Sequence, residues 1–303
     1  MRELSADARR PFTIAVASGK GGTGKTLVAT NLAVAQSRSG VNVVLVDCDV
    51  EAPNDHLFLK RAHEAVEPVN VLVAEVDAAR CTGCGQCRDS CAYGAVRLLG
   101  GPAIVFEELC HGCGSCLDVC AAGAMAEVPR CVGEVLSGPV EDSGVLTLVT
   151  GRLDVGQVKS PAVIRQARAA ARLVPSDLVV LDAPPGVACA AVAAVRGADA
   201  LLLVTEPTPF GLHDLQLSMR LGQDLDLPMG VVVNRDDGDA ESVSQVCSAF
   251  GVPILARIPF DRRVAEVYAR GGLAGDELPE FGELMVRLGS SIRGLVAPEV
   301  LHR

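Results

Sequence analysis

Eight of the twelve cysteines in this 303-residue chain fall into two copies of one pattern, Cys81, Cys84, Cys87, Cys91 and Cys110, Cys113, Cys116, Cys120. The spacing C-x2-C-x2-C-x3-C suits a four-iron cubane: three close thiolates take three corners, and the fourth cysteine ligates the other cluster. It predicts one [4Fe-4S] cluster on Cys81, Cys84, Cys87 and Cys120 and a second on Cys110, Cys113, Cys116 and Cys91. The copies also match between their cysteines, CTGCGQCRDSCAYGAV against CHGCGSCLDVCAAGAM, with a repeat of 29 residues from Cys81 to Cys110, which reads as an internal duplication. Gly83, Gly85, Gly112 and Gly114 let the backbone turn tightly and bring amides close to sulfur. Structural zinc usually takes two C-x2-C pairs across a longer gap, so a third cysteine at the short spacing, repeated, argues against it. Disulfides are disfavoured by the lack of a secretory signal.

A second chemistry precedes the cysteines. Residues 12–18, FTIAVAS, form an apolar β-branched run; residues 19–26 read GKGGTGKT, and LVATNLAVAQSR follows with a helical composition. Strand, glycine loop and helix in that order fit G-x-x-x-x-G-K-[ST] with Gly19, Gly24, Lys25 and Thr26. Loop amides, including those of Gly21, Gly22 and Thr23, cradle phosphates, Lys25 reaches the β and γ oxygens, and the Thr26 hydroxyl binds magnesium. The helix N-terminus adds a favourable dipole. ATP and Mg2+ are the expected ligands.

With Lys20 directly after the first glycine, the loop resembles the deviant Walker A signature of the MinD/ParA group, which includes Mrp-type carriers and the nitrogenase iron protein. The resemblance implies that Lys20 reaches the nucleotide of a partner subunit, in an ATP-dependent sandwich dimer with itself or a similar ATPase. Residues 41–54, VNVVLVDCDVEAPN, are similar to the D-x-D switch I of that group. By that match Asp49 positions the attacking water and Asp47 supports the magnesium shell, so Lys20, Lys25 and Asp49 are the expected catalytic residues; capping of the next element remains the other reading of the aspartates. In DLVVLDAPPGVAC, Asp182 resembles the Walker B aspartate and PPG the switch II. The same resemblance places Asn234 against adenine and packs Pro259 to Asp261 beside the base. The chain is most similar to MinD-superfamily ATPases that carry an inserted ferredoxin domain, although the proline usual after the fourth cysteine is Ala92 in one copy and Ala121 in the other.

These sites need a frame. Apolar runs alternate with helical patterns on either side of the cysteine segment, which argues for an α/β fold: a doubly wound, mostly parallel sheet of the P-loop NTPase type. The cysteine spacing and the resemblance imply that a small α+β bacterial-ferredoxin domain is inserted into it. The expected boundaries are 1–74 and 129–303 for the ATPase domain and 75–128 for the insertion. No apolar stretch reaches the roughly 20 residues that span a bilayer. Residues 1–11, short and charged, read as an exposed leader rather than a targeting peptide, so a cytoplasmic protein is expected. Net charge is -10, and residues 75–128 hold seven acids against three arginines; acidic surfaces repel nucleic acid. Residues 280–296 place Phe281, Leu284, Met285, Leu288, Ile292, Leu295 and Val296 on one stripe. MinD uses such a C-terminal helix on membranes, but the polar face here has no run of lysines, and core packing is favoured.

Four cysteines remain. Cys48 and Cys247 read as small buried hydrophobes, and Cys131 has no partner in sequence. Cys189 lies seven residues after Asp182, the offset at which the nitrogenase iron protein holds a cluster shared between subunits; that resemblance implies that Cys189 binds metal or passes electrons near a dimer axis, against a buried thiol at a helix start. Together the motifs predict an ATP-dependent electron carrier, taking electrons from a donor and delivering them to a partner protein. The alternative is a maturation factor inserting a metal cofactor into a metalloprotein client; Mrp-type carriers use a C-x-x-C pair near the C-terminus, and none follows Cys116. A spatial organiser of the MinD type would leave the cysteines unexplained.

Overall fold

Runs such as VVLVD and LVVLD carry no polar alternation, and strands of that kind are stable only when both faces are covered. The computed structural model, which describes residues 10–61, 64–238 and 241–296, shows that arrangement; residues 1–9 of the leader read at residues 1–11 lie outside the described residues. In chain order the elements are β1 (Phe12–Ala17), α1 (Lys25–Arg38), β2 (Val43–Asp47), β3 (Ala65–Val76), α2 (Gln86–Asp89), β4 (Val96–Leu98), β5 (Ala103–Val105), α3 (Ser115–Asp118), β6 (Met125–Pro139) and β7 (Leu146–Leu153). There follow α4 (Ser160–Arg172), β8 (Leu178–Asp182), α5 (Cys189–Val195), β9 (Ala200–Thr205), α6 (Pro209–Asp224), β10 (Met229–Asp236), α7 (Glu241–Phe250), β11 (Ile254–Pro259), α8 (Arg262–Ala269), α9 (Ala274–Glu277) and α10 (Pro279–Arg293).

Among the described residues the main sheet has the order β11-β10-β9-β1-β8-β2-β7-β6-β3. Strands β11 to β7 run parallel, and β6 joins β7 and β3 antiparallel. The expected doubly wound, mostly parallel α/β sheet is therefore observed. One face packs on α1 and α10 through Ile14, Leu32, Leu45, Leu148 and Met285; the other packs on α4 to α7 through Val46, Val149, Ile164, Leu203 and Met219. Helix α1 has no apolar stripe because it is buried nearly all round, with α10 over its outer side. The stripe of residues 280–296 is this cover: Phe281, Met285, Leu288, Ile292 and Val296 are all buried in the core, each worth about 1.5–3 kcal/mol.

The β3–β6 ladder runs unbroken from Ala65↔Ser137 to Val76↔Met125, with one register shift at Val69/Asn70. Only Gly133 to Pro139 of β6 also pair with β7, so the rest of the ribbon projects from the sheet and carries residues 77–124. Together with the end of the ribbon these form their own apolar cluster, in which Val73 of β3 and Met125 of β6 join Val96, Ala103 and three of the cysteines. The 29-residue repeat becomes a pseudo-two-fold. The pairs Val96↔Val105 and Leu98↔Ala103 of the β4–β5 hairpin map, by adding 29 to one partner and subtracting 29 from the other, onto Met125↔Val76 and Glu127↔Ala74 of the ribbon.

Candidate functional site

The glycine loop leaves β1 and enters α1 through Gly24, whose φ of 97° is left-handed and whose missing side chain makes room for Asn234. Lys25 and Thr26 open the helix, both buried. Above them lies a cleft of about 400 Å³, bounded by Gly21, Gly22, Asp49, Asn54, Pro259 and Asp261 among others. That size is within the range of small-ligand sites, and the floor is a helix N-terminus, where amides and dipole favour an anion.

Below the loop three carboxylates are taken fully out of water. Asp47 at the end of β2 and Asp182 at the end of β8 are neighbours in register; Asp55, in the turn after β2, is wholly buried. Asp182 Oδ2 accepts from Thr26 Oγ1 at 2.7 Å, which places the hydroxyl and the carboxylate as adjoining oxygen donors. Asp47 accepts backbone N–H bonds from Asp49, Asn54 and Asp55 at 2.8–3.1 Å, so it also shapes the loop. Burial, then the charge of Asp182, push the Asp47 carboxyl up to about 7. Burial likewise raises Asp182 and Asp49, with the Lys25 charge opposing, and raises Asp55 well above its ordinary value. Asp182 Oδ1 and both oxygens of Asp55 have no hydrogen-bond partner. Buried carboxylates without enough cations suit a hard divalent ion that takes oxygen ligands.

The cysteine segment forms two cavities. One is lined by Cys81, Cys84, Cys87 and Cys120, the other by Cys91, Cys110, Cys113 and Cys116; these are the two sets of four read from the spacing. Backbone amides already point at sulfur: Ala103 to Cys81 at 3.4 Å and Ala74 to Cys110 at 3.4 Å, Ala95 to Cys91 at 3.3 Å and Ala124 to Cys120 at 3.2 Å. Each pair of bonds is related by the pseudo-two-fold. Burial raises the Cys87 thiol and pushes Cys116 up to about 11, while the Ser115 hydroxyl lowers Cys113. Among the described residues no three His, Cys, Asp or Glu side chains close around a single metal ion. The symmetry breaks at the rim. Tyr93 stacks on His111 at 3.8 Å beside the second cavity, where the first has the small residues Ala122 and Thr82.

A phosphate loop, a buried oxygen cluster and a seven-strand parallel array suggest a nucleotide-binding family, and comparison decides which. The model of the CobQ/CobB/MinD/ParA nucleotide binding domain matches residues 14–274. The chain belongs to this family. An uncharacterized protein of Methanocaldococcus jannaschii, MJ0578, is 31% identical over 284 residues, 93% of this chain and 97% of its own. The septum site-determining protein MinD of Pyrococcus horikoshii, solved with Mg-ADP, shares the fold at a TM-score of 0.57 and 21% identity, covering 93% of this chain and 96% of its own. An iron-sulfur cluster carrier protein of Synechocystis is 44% identical over 63 residues only, 21% of this chain and 18% of its own.

Within this CobQ/CobB/MinD/ParA chain the expected site residues divide. Gly21, Gly22, Gly24, Lys25, Thr26, Asp49, Asn234, Pro259 and Asp261 meet at the cleft, and Asp47 and Asp182 lie buried beneath it. Gly19 instead packs against the backbone of Asp214 in α6, and Thr23 turns inward with its hydroxyl unpartnered. Lys20 lies outside the cleft, 3.5 Å from Glu206, which also holds Arg235 at 3.1 Å. Asn234 donates from Nδ2 to the Thr23 carbonyl at 2.7 Å, so that amide supports the loop. Cys189 opens α5 and is exposed, not buried; Cys131 is exposed, and Cys48 and Cys247 are buried. Sequence reasoning missed Asp55, Asn54, which accepts from Thr26 Oγ1 at 3.2 Å, and Glu206. Asn54 and Asp55 closed the VNVVLVDCDVEAPN segment and its neighbour, and the polar pair after a strand was the available signal. No helix among the described residues is long and apolar enough to cross a membrane.

Proposed function

We propose that this chain is a Mg-ATP-hydrolysing iron-sulfur protein in which a nucleotide switch governs electron transfer to a partner protein. Residues 75–128 form its 2[4Fe-4S] ferredoxin domain, inserted between 1–74 and 129–303. The sorting of eight cysteines into two amide-rimmed cavities carries the reading. Cys81, Cys84, Cys87 and Cys120 would hold one cluster and Cys91, Cys110, Cys113 and Cys116 the other; when bound they supply one-electron storage. The chain's part is to aim four backbone amides at sulfur, which favours the more negative reduced state.

At the nucleotide cleft Lys25 and the loop amides would take the phosphates, while Thr26 and Asp182 would supply oxygens toward Mg2+, with Asp47 supporting the shell and Asp55 buried beside them. Asp49, at the cleft edge, orients water for attack on the terminal phosphate, the role its D-x-D position suggests. Lys20, set apart from its own cleft, is available to the nucleotide of a second copy, so dimer closure is the switch. The solved Mg-ADP complex of the Pyrococcus horikoshii relative supports the ligand.

Anaerobic purification tests the reading. Two four-iron clusters per chain by iron and sulfide analysis, with electron transfer to an acceptor faster in ATP than in ADP, are expected. Colourless iron-free protein, or equal rates in every nucleotide state, would refute it. The partial likeness to an iron-sulfur cluster carrier favours one other reading, an ATP-dependent cofactor assembly factor. Chelator challenge separates them, since a carrier of clusters gives iron to an apo-acceptor and an electron carrier keeps it.

A further inference from the structure

Helix α4 begins with two residues that hold different parts of the protein. Lys159, at its N-cap position, donates from Nζ to the carbonyl oxygens of Glu107 and Cys110, both at 2.8 Å. Ser160, buried at 4% exposure, donates from Oγ to Glu51 Oε1 at 2.6 Å. Glu51 is two residues beyond Asp49, which lines the nucleotide cleft. Cys110 lines the second cysteine cavity. Adjacent residues of one helix end therefore grip the loop that borders the nucleotide cleft and the loop that carries Cys110.

The grip is reinforced by packing. Val50, between Asp49 and Glu51, shares a core with Val163 and Ala167 of α4, and its carbonyl accepts from Leu153 N at 2.8 Å. Interiors at native density pass displacement on rather than absorb it. The bond to Glu51 is charge-assisted, the stronger kind.

The pseudo-two-fold supplies a control. The counterparts of Glu107 and Cys110 in the first copy are Ala78 and Cys81, and among the described residues no side chain donates to either carbonyl. The ammonium of Lys159 thus serves one cavity alone.

We infer that Lys159 and Ser160 are positioning residues that couple the nucleotide state at Asp49 to the Cys91, Cys110, Cys113 and Cys116 site and leave the Cys81, Cys84, Cys87 and Cys120 site unaffected. This rests on the proposed cluster reading. A shift of the Asp49–Glu51 loop moves Ser160, and with it the rigid start of α4. Lys159 then changes its distance to the Cys110 loop, altering both the positive charge near the thiolates and the Ala74 amide bond to Cys110. Those two quantities help set a cluster's reduction potential, and a shared two-state element is what such coupling requires.

The test is a mediated redox titration of the full-length holoprotein, followed by electron paramagnetic resonance, with no nucleotide, Mg-ADP or a non-hydrolysable Mg-ATP analogue. In each titration the electrode supplies one electron per cluster. One cluster is expected to change its reduced-to-oxidised ratio on the order of tenfold with nucleotide, about 59 mV for a one-electron couple, while the other holds. Ser160→Ala keeps the nucleotide-free potentials and loses the shift. Lys159→Met lowers the nucleotide-free potential of that same cluster and loses the shift, and Lys159→Arg retains it. If Ser160→Ala does not fold, Glu51→Gln cuts the same bond from the other side. Two clusters whose potentials ignore nucleotide, a shift that survives both Ser160→Ala and Glu51→Gln, or equal shifts in both clusters overturn the inference while the cluster reading stands. Iron-free wild-type protein overturns both.

Discussion

Gly83 and Gly112 occupy equivalent places in the two cysteine loops, yet alanine should be tolerated far better at the first. Both have left-handed backbones, φ 69° and 61°, and that conformation costs an L-residue about 1–2 kcal/mol. At Gly83 an added Cβ meets nothing nearer than the Gly101 carbonyl at 3.3 Å, so the backbone cost is nearly the whole effect. At Gly112 it falls 2.3 Å from the Leu72 carbonyl oxygen, in the ribbon that joins the cysteine segment to the main sheet. Neither atom can move by changing a rotamer. Relieving the overlap needs a shift of roughly 1 Å, and overpacking of that kind adds about 1–3 kcal/mol. Gly83→Ala should therefore cost about 1–2 kcal/mol and Gly112→Ala about 2–5 kcal/mol. The chain has no tryptophan, so the assay is hydrogen exchange by mass spectrometry on reduced, metal-free protein, reading peptides that cover β3 and each cysteine loop. Gly112→Ala should deprotect β3 around Leu72 and its own loop; Gly83→Ala should loosen only its own. Equal losses at both sites would refute the claim that the ribbon carbonyl fixes the second loop.

Other outcomes follow from the nucleotide cleft. Burial and the charge of Asp182 push the Asp47 carboxyl from 3.8 up to about 7 in the folded chain, so between those values the folded state binds the extra proton. Stability of the ligand-free protein should then fall as pH rises from about 4 to 7, by about 1.4 kcal/mol per pH unit for one such group. Mg-nucleotide should restore it, so the gap between ligand-bound and ligand-free melting temperatures widens with pH; a gap that narrows would refute the burial argument. Thr26→Val removes the hydroxyl from Asp182 and should weaken nucleotide binding about tenfold in Mg2+ but little in chelator, measured by calorimetry. Lys20→Ala should leave the affinity of the monomer for nucleotide within about twofold, since Lys20 stands outside the cleft, while removing the concentration-dependent rise in hydrolysis. Loss of nucleotide affinity in Lys20→Ala would count against a role across a dimer.

The local motifs were legible because their chemistry is set by neighbours in sequence. Gly24 must be glycine for a loop that turns into a helix, Lys25 and Thr26 follow at fixed distance, and three cysteines at short spacing can meet only around one small volume. The spacing also leads to the expectation that Cys91 and Cys120 change places between the two sets, and they line the opposite cavities. The buried strand of residues 43–47 and the cover formed by Phe281, Met285 and Ile292 were likewise written in apolar pattern.

What tertiary structure decided is everything that depends on distant segments meeting. Asp55 is an ordinary polar residue in sequence and becomes an unpartnered buried carboxyl only because β2 and β8 bring Asp47 and Asp182 beside it. Glu206 is the residue that holds Lys20, from 186 positions away, and Lys159 meets Cys110 because the β3–β6 ribbon leans the cysteine segment onto the start of α4. Periodicity and spacing report which faces must be buried and which side chains can cluster within a turn or two. Which charges then lose their water together is set by chain crossing, and that is a property of the folded sheet alone.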